Sequence, residues 1–529
     1  MTTGTINFAS STIPRLAQWA GERFGEASAI EDDGMRITFA ELAASALQAS
    51  RAFVAAGVEP GDRVGIWAPN IHEWIVAALG IQSAGGVVVP FSTRMKGTEA
   101  AYILDKSGAK VVCTVGEFLG ADYAAMLREQ ELPGLQTTVL LRGVGEGAVA
   151  WSEFLAAGDS VDEGEARARL DAVQPSDLSD ILFTSGTTGN PKGVMTEHSQ
   201  NLRTFDAWSS IVGLRQGDRY LVVNPFSHSF GYKAGWLSCL MKGATAMPQA
   251  VFDVPVVLER IAAESVSVLP GPPALYQSIL ANPRLARYDI SSLRLAVTGA
   301  APVPVELVHR MREELGFETV VTAYGLTEVS GMATICRAED DAETISTTSG
   351  RAIDGVEVRC VDPEGNEAAR GEPGEIVVRG YNVMRGYFED PQATRETIDG
   401  DGWLHTGDVG VMDERGYLRI TDRIKDMFIM GGFNCYPAEI ENLLFNHAEI
   451  AQAAVIGVPD DRMGEVGMAF VVPVEGADPK AAQIVAWCRE NMANYKVPRY
   501  VEVVEALPMN ASNKVTKFVL RERAAEILG

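Results

Sequence analysis

The 529-residue chain has no window of about 18 uninterrupted apolar residues, so it predicts no membrane-spanning helix. The nearest stretch, Ile75 to Val89, is broken by Gln82, Ser83 and several glycines, and reads as a helix followed by a strand. The opening residues, MTTGTINFASSTIPRL, lack a basic leader and an apolar run of secretory length, so a cytoplasmic protein is expected. Cysteine is scarce: the six, at 113, 239, 336, 360, 435 and 488, form no CxxC pair and no metal-like grouping with the six histidines. They read as reduced, structural thiols rather than as a disulfide framework. Basic residues are also in deficit, 45 against 70 carboxylates, for a net charge of -25. A field of that sign repels nucleic acid and anionic membranes. An anionic ligand therefore needs a local site made of backbone N–H groups, a few cations and a metal ion.

What the chain does contain is length for two or more domains and, at 47 % apolar residues, material for a large core. Helix-type and strand-type segments alternate through the first 420 or so residues, the pattern of an α/β fold whose strands feed loops at their carboxyl ends. Phe39 to Gly57 has helical apolar spacing, Arg63 to Ala68 reads as a strand and Ile71 to Ala84 as a helix. Lys110 to Val115 and Asp180 to Thr184 are short apolar runs that end at turn signals. Between Leu132 and Ser179 the chain turns Gly- and Glu-rich with weak periodicity, which predicts a surface excursion. After YLRITD, Tyr417 to Asp422, a smaller α+β set is expected. Its strands are Ala453 to Val458, Ala469 to Val474 and Tyr500 to Ala506; its helices are Ala481 to Asn494 and Lys517 to Leu528. The expected domains are residues 1–423 and 424–529, joined at Arg423 to Asp426.

The stretch TSGTTGNPKG, Thr184 to Gly193, looks built to hold phosphate, yet it is not a Walker loop. That loop needs GxxxxGK[ST], whereas here Gly186 and Gly189 are three apart and Lys192 is followed by Gly193. The physics is similar all the same: glycines admit an oxyanion close to the backbone, the hydroxyls of Thr184, Ser185, Thr187 and Thr188 donate, and Lys192 adds charge. An ordinary polar turn after the strand is the alternative.

TSGTTGNPKG resembles the phosphate loop of the adenylate-forming superfamily of acyl-CoA synthetases, adenylation domains and luciferases. Further motifs of that superfamily follow in order: PFSHSFG at 225–231, TGAAP at 298–302, YGLTE at 324–328 and GWLHTGD at 402–408. DRIKDMFIMGGFNCYPAEIE at 422–441 and NASNK at 510–514 complete the set, and GDRVGIWAPN extends the likeness toward the N-terminus. The resemblance implies a large N-terminal α/β domain of stacked sheets with flanking helices and a distorted β-barrel, followed by a small mobile α+β cap. It also implies ATP, Mg²⁺ and coenzyme A, with a carboxylic acid attacking the α-phosphate to give acyl-adenylate and a thiol then attacking the carbonyl. No nucleic-acid partner and no membrane span are expected, and a homodimer is left open.

Carried onto this sequence, the resemblance gives Thr184 to Gly189 and Lys192 to the β- and γ-phosphates, Glu328 to the metal and Thr327 to the α-phosphate. A Glu capping a helix is the bland reading of Glu328. Tyr324, Gly325 and the Gly299, Ala300, Ala301 segment would flank adenine, and Asp408 with Arg423 would take the ribose hydroxyls unless they form a surface ion pair. Lys514 would bridge substrate carboxylate and α-phosphate as charge develops. Relatives usually carry Gly immediately before this lysine, where Asn513 stands here; asparagine tolerates left-handed backbone better than other non-glycine residues. Lys425 occupies the hinge, and Gly431 with Gly432 would line the pantetheine tunnel or serve only a tight turn.

His228 matches the gate between acid pocket and thiol tunnel, against a merely packed histidine. Phe230, Tyr232, Lys233, Gly235 and Trp236 on one side, and Thr298 and Thr322 on the other, would line the acyl pocket. Gly235 and Ala234 suggest room for a bulky acid, and Lys233 either points to solvent or meets a polar group at the far end of the substrate. FSHSFGYKAGW resembles the segment of actinobacterial ligases of fatty-acid and steroid breakdown, including those acting on a propanoate side chain of a steroid ring remnant. The expected activity is thus acyl-CoA synthesis; loading of a separate carrier protein and non-catalytic acyl-nucleotide sensing are the alternatives.

Overall fold

The structure is a computed structural model and describes residues 6–184, 191–299, 303–423, 426–430, 433–460, 463–492, 494–510 and 514–528. Its contacts divide it into two compact units, Met1–Glu357 with Val378–Leu404, and Val358–Val377 with His405–Gly529.

The first unit is built on two large sheets. One has eight strands in the order Gly386–Tyr387, Lys192–Glu197, Leu178–Thr184, Val87–Pro90, Arg63–Trp67, Val111–Val115, Thr137–Arg142 and Val149–Ala150. The last six run parallel, and Val87–Pro90 and Val111–Val115 are buried at every position, as a sheet covered on both faces requires. The other sheet forms where Val268 bridges Tyr220 and Leu295, joining Arg219–Val222, Thr245–Pro248, Ser28–Asp32 and Met35–Thr38 to Leu295–Gly299, Thr319–Tyr324, Thr334–Ile335 and Arg351–Ala352.

Helix Phe39–Ala55 begins on a reciprocal cap: Thr38 Oγ1 accepts from the Glu41 N–H and Glu41 Oε2 accepts from the Thr38 N–H. Helix His72–Ser83 is buried from Glu73 onward, which explains its weak amphipathic pattern. The expected surface excursion between Leu132 and Ser179 is incorrect. Thr137–Arg142 is an internal strand of the eight-stranded sheet, with Val139, Leu140 and Leu141 buried, and glycine-rich flanks hide it in the sequence.

In the second unit, strands Ile450–Asp460 and Gly464–Pro473 form a long antiparallel hairpin within a five-stranded sheet. Alternation splits its residues between two cores: Ala453, Val455, Ala469 and Val471 join Ile440, Leu444, Ile484 and Cys488. Ala454, Ile456, Met468 and Phe470 join Leu520 and Ala524 of helix Lys517–Leu528. A four-stranded sheet, in the order Val356–Val361, Pro373–Gly380, Leu404–Met412 and Leu418–Arg423, contributes most of its residues to this unit. All six cysteines are buried and none is in a disulfide, and burial pushes the Cys360 and Cys488 thiols up to about 11, consistent with structural thiols. Among the described residues no helix is long and apolar enough to cross a membrane.

Candidate active site

Strands Leu178–Thr184 and Lys192–Glu197 form an antiparallel hairpin whose last described pair is Thr184 and Lys192. Ser185, Gly186, Thr187, Thr188 and Gly189 lie outside the described residues, as do Ala300, Ala301, Asn513, Lys425, Gly431 and Gly432. At the mouth of the hairpin Thr184 is half-buried and Lys192 exposed, its ammonium 5.0 Å from the centre of the Tyr387 ring. Tyr387 belongs to the two-residue edge strand Gly386–Tyr387, which pairs with the outgoing strand at Val194.

At the base of the hairpin the structure corrects the reading of Lys233. It points neither to solvent nor to a substrate: its ammonium is fully buried, 3.0 Å from Asp180 Oδ1, and donates to Thr196 Oγ1 at 3.0 Å. Thr196 donates to Asp180 Oδ1, while Ser179 and Asn201 donate to Oδ2, each at 2.7 Å. The carboxylate thus has four donors, which is how a charge survives without water. Burial pushes the Lys233 ammonium below its usual range, and Asp180 opposes the fall.

Lys233 lies in the π-helical turn Tyr232–Leu237, which also holds most of the expected acyl-pocket residues. Tyr232 and Trp236 are core residues, stacked with ring centres 4.9 Å apart and both set against Trp74. The Tyr232 hydroxyl accepts from Gln82 Nε2 at 2.9 Å. At Gly235 a Cβ would meet Val222 Cγ1 at 3.0 Å; close packing and its non-helical ψ of -108° account for the glycine. Thr322 is likewise committed, donating to the Ile345 and Thr348 carbonyls, both at 2.9 Å. Thr298 is buried and its hydroxyl has no hydrogen-bond partner among the described residues, and Phe230 is half-buried, so these two remain able to face an acid. His228 is exposed, not packed in the core; its Nδ1 accepts from the Phe230 N–H at 3.2 Å.

The YGLTE motif leaves strand Thr319–Tyr324 and turns sharply into the single turn Thr327–Val329. Gly325 is required there, because a Cβ would sit 2.3 Å from the Gly331 carbonyl oxygen. Glu328 caps no helix: its Oε1 accepts from the Tyr387 hydroxyl at 3.0 Å. Burial, reinforced by that carboxylate, raises the Tyr387 phenol above its usual range and keeps it a donor. In the second unit Asp408 is buried on strand Leu404–Met412 directly opposite Arg423, of which only the backbone is described. Burial removes Asp408 from the class of surface ion pairs. Lys514 is exposed; its N–H donates to Asn510 Oδ1 and its carbonyl accepts from the Asn510 N–H, both at 2.9 Å, while Met509 pairs with Val515. Asn510 and Lys514, the two ends of the NASNK motif, are therefore paired to each other.

The comparisons with known proteins bear on this geometry. The profile of AMP-binding enzymes matches residues 17–388, and that of the AMP-binding enzyme C-terminal domain matches residues 439–514. The chain belongs to the AMP-binding enzyme family. It is 50 % identical over 97 % of its length, and 98 % of the relative's, to the 3-[(3aS,4S,7aS)-7a-methyl-1,5-dioxo-octahydro-1H-inden-4-yl]propanoyl:CoA ligase of Rhodococcus jostii. To the ligase of the same name from Mycobacterium tuberculosis it is 49 % identical over 97 % of its length and 98 % of the relative's. Among solved structures it is similar to ATP-bound MatB from Rhodopseudomonas palustris, with a TM-score of 0.87 and 31 % identity over 98 % of this chain and 100 % of that one.

Three features of this AMP-binding enzyme escaped the sequence. Tyr387 sits in an unremarkable GYFEDP stretch, and only strand pairing brings it to Glu328. Glu375 braces the HTGD segment, with Oε2 2.8 Å from His405 Nδ1 and Oε1 accepting from the Gly407 N–H at 3.1 Å. Asp32, His72 and Glu73 come together with metal-like spacing, but Arg142 already supplies the cation, at 2.5 Å from Asp32 and 2.8 Å from Glu73. No sequence pattern connects these residues: Asp32 ends strand Ser28–Asp32, His72 and Glu73 open helix His72–Ser83, and Arg142 ends strand Thr137–Arg142 of the eight-stranded sheet.

Proposed function

We propose that the acid taken by this acyl-CoA ligase is a propanoate side chain on a bulky fused-ring remnant, of the kind released in steroid breakdown. The observation that carries the reading is the 50 % identity, over nearly the whole of both chains, to a ligase named for such an acid. The Thr298 hydroxyl, unpartnered among the described residues, supports it as a group able to meet an oxygen of the substrate.

In the reaction, a carboxylate oxygen attacks the α-phosphorus of ATP, the bond to the bridging oxygen breaks, and pyrophosphate leaves. The thiol sulfur of coenzyme A then attacks the acyl carbonyl, AMP departs with its phosphate oxygen, and the thiol proton passes to solvent. The hydroxyl-rich loop from Thr184 and Lys192 hold the departing β- and γ-phosphates, Thr327 donates to the α-phosphate, and Tyr324 faces adenine. Asp408 and Arg423 hold the ribose. Lys514 balances charge developing between carboxylate and α-phosphate. The Glu328 carboxylate, with the Thr327 hydroxyl next to it in the chain, offers the oxygen donors that suit Mg²⁺ and would hold it. When bound, Mg²⁺ supplies charge neutralisation at the phosphates. Residues 424–529 act as a cap that turns about Lys425, so that Lys514 withdraws and the Gly431–Gly432 segment admits the pantetheine arm. His228 gates the passage between acid and thiol.

The test is CoA-dependent AMP release across carboxylic acids of graded length and ring content. The highest kcat/KM is expected for a two-ring propanoate. A preference for straight-chain acids would overturn the substrate assignment, and AMP release that depends on a carrier protein instead of CoA would overturn the acceptor.

A further inference from the structure

We infer that Tyr387 is a positioning residue that fixes the metal-binding carboxylate and the phosphate-loop lysine in one arrangement. The inference rests on the proposed role of Glu328 as the Mg²⁺ ligand. Tyr387 is 9 % exposed, and its two chemical faces are both used: the hydroxyl donates to Glu328 Oε1 at 3.0 Å, while the ring lies 5.0 Å beneath the Lys192 ammonium.

The backbone around Tyr387 makes this arrangement rigid. The Met384 N–H donates to the Glu328 carbonyl at 2.8 Å, so the segment is tied to the YGLTE turn. The Arg385 N–H donates to the Met195 carbonyl at 3.0 Å and the Phe388 N–H to the Gly193 carbonyl at 2.7 Å, so the same few residues are tied to the strand that leaves the phosphate loop. The Tyr387 N–H accepts no freedom either, donating to Thr394 Oγ1 at 2.9 Å. A carboxylate on a single helical turn would otherwise sample several rotamers. With one oxygen fixed by a phenol, the other is oriented before any cation arrives. The ring beneath Lys192 restrains that ammonium without neutralising it, because an aromatic face attracts a cation and carries no net charge. Outer contacts of this kind govern ligand orientation and typically change metal affinity by about 10–100-fold when removed.

The experiment is a titration of the full-length enzyme with Mn²⁺ in the presence of α,β-methylene-ATP, read by the loss of free Mn²⁺ electron paramagnetic resonance. Tyr387→Phe is expected to weaken Mn²⁺ binding about tenfold with an unchanged melting temperature. Binding of the nucleotide analogue without metal should stay at the wild-type value in Tyr387→Phe, which keeps the ring, and fall in Tyr387→Leu, which loses it. Glu328→Gln is run in parallel. If Glu328→Gln weakens Mn²⁺ binding and Tyr387→Phe does not, the Tyr387 inference fails while the metal assignment stands. If Glu328→Gln leaves Mn²⁺ binding unchanged, the metal assignment fails and the inference falls with it.

Discussion

At the inner end of the hairpin formed by Leu178–Thr184 and Lys192–Glu197, Lys233 is fully buried against Asp180, whereas at the outer end Lys192 is exposed over the Tyr387 ring. The two lysines are chemically identical and their surroundings are opposite. Asp180 and Thr196 satisfy Lys233, so its charge is consumed inside the protein and holds the π-helical turn to the hairpin. An aromatic face leaves the Lys192 charge available to an anion. With the phosphate role proposed for Lys192, one strand pair carries a structural cation and a binding cation, and counter-charge decides which is which.

The comparison can be broken from its buried side first. Lys233→Met strands the Asp180 carboxylate and is expected to cost about 3–5 kcal/mol in urea unfolding. The double variant Asp180→Asn with Lys233→Met should recover a large part of that loss, since neither charge remains. A single variant within about 1 kcal/mol of wild type would show that Lys233 is not paired in solution.

His198, next to this network, sharpens the same contrast through pH. Burial lowers its imidazole from the usual 6.5 to about 4, so the folded protein keeps it neutral where the unfolded chain binds a proton. Stability from this group is therefore complete above about pH 6.5 and lost as pH falls toward 4, by about 3 kcal/mol in total. His198→Gln should flatten the pH dependence of unfolding in that window, and an unaltered slope would contradict the shift. The smallest effect is expected at the open end. Lys192→Met should slow acid-dependent pyrophosphate release about tenfold, or about 1.4 kcal/mol, with stability changed by less than about 0.5 kcal/mol. Lost stability with unchanged rate would reverse the two assignments.

The same hairpin explains what was legible in the sequence. The phosphate role proposed for Thr184 and Lys192 rests on a local signal, glycines and hydroxyls around a lysine. The burial of Lys233 was not legible, because its partner Asp180 is on a strand distant in sequence and an isolated lysine among apolar residues looks solvent-facing. Helix Lys517–Leu528 was found at its observed bounds, while the strands Ile450–Asp460 and Gly464–Pro473 begin before the runs that marked them. Thr137–Arg142 was hidden by glycine-rich flanks, and the core contacts of Tyr232, Gly235, Trp236 and Thr322 were not legible because a pocket wall and a core wall share the same apolar composition. Glu328 was identified from its motif, but Tyr387, which holds it, depends on the pairing of Gly386–Tyr387 with Lys192–Glu197.

Activation of a carboxylic acid at the α-phosphate with Lys514, followed by transfer to a thiol, is probed by measuring the two half-reactions of Lys514→Ala separately. Acid-dependent ATP–pyrophosphate exchange should fall by about 10²–10³-fold, the scale expected for removing a transition-state charge partner. Thioester formation from supplied acyl-adenylate and coenzyme A should persist within a few-fold of wild type. Equal loss in both half-reactions would contradict the account.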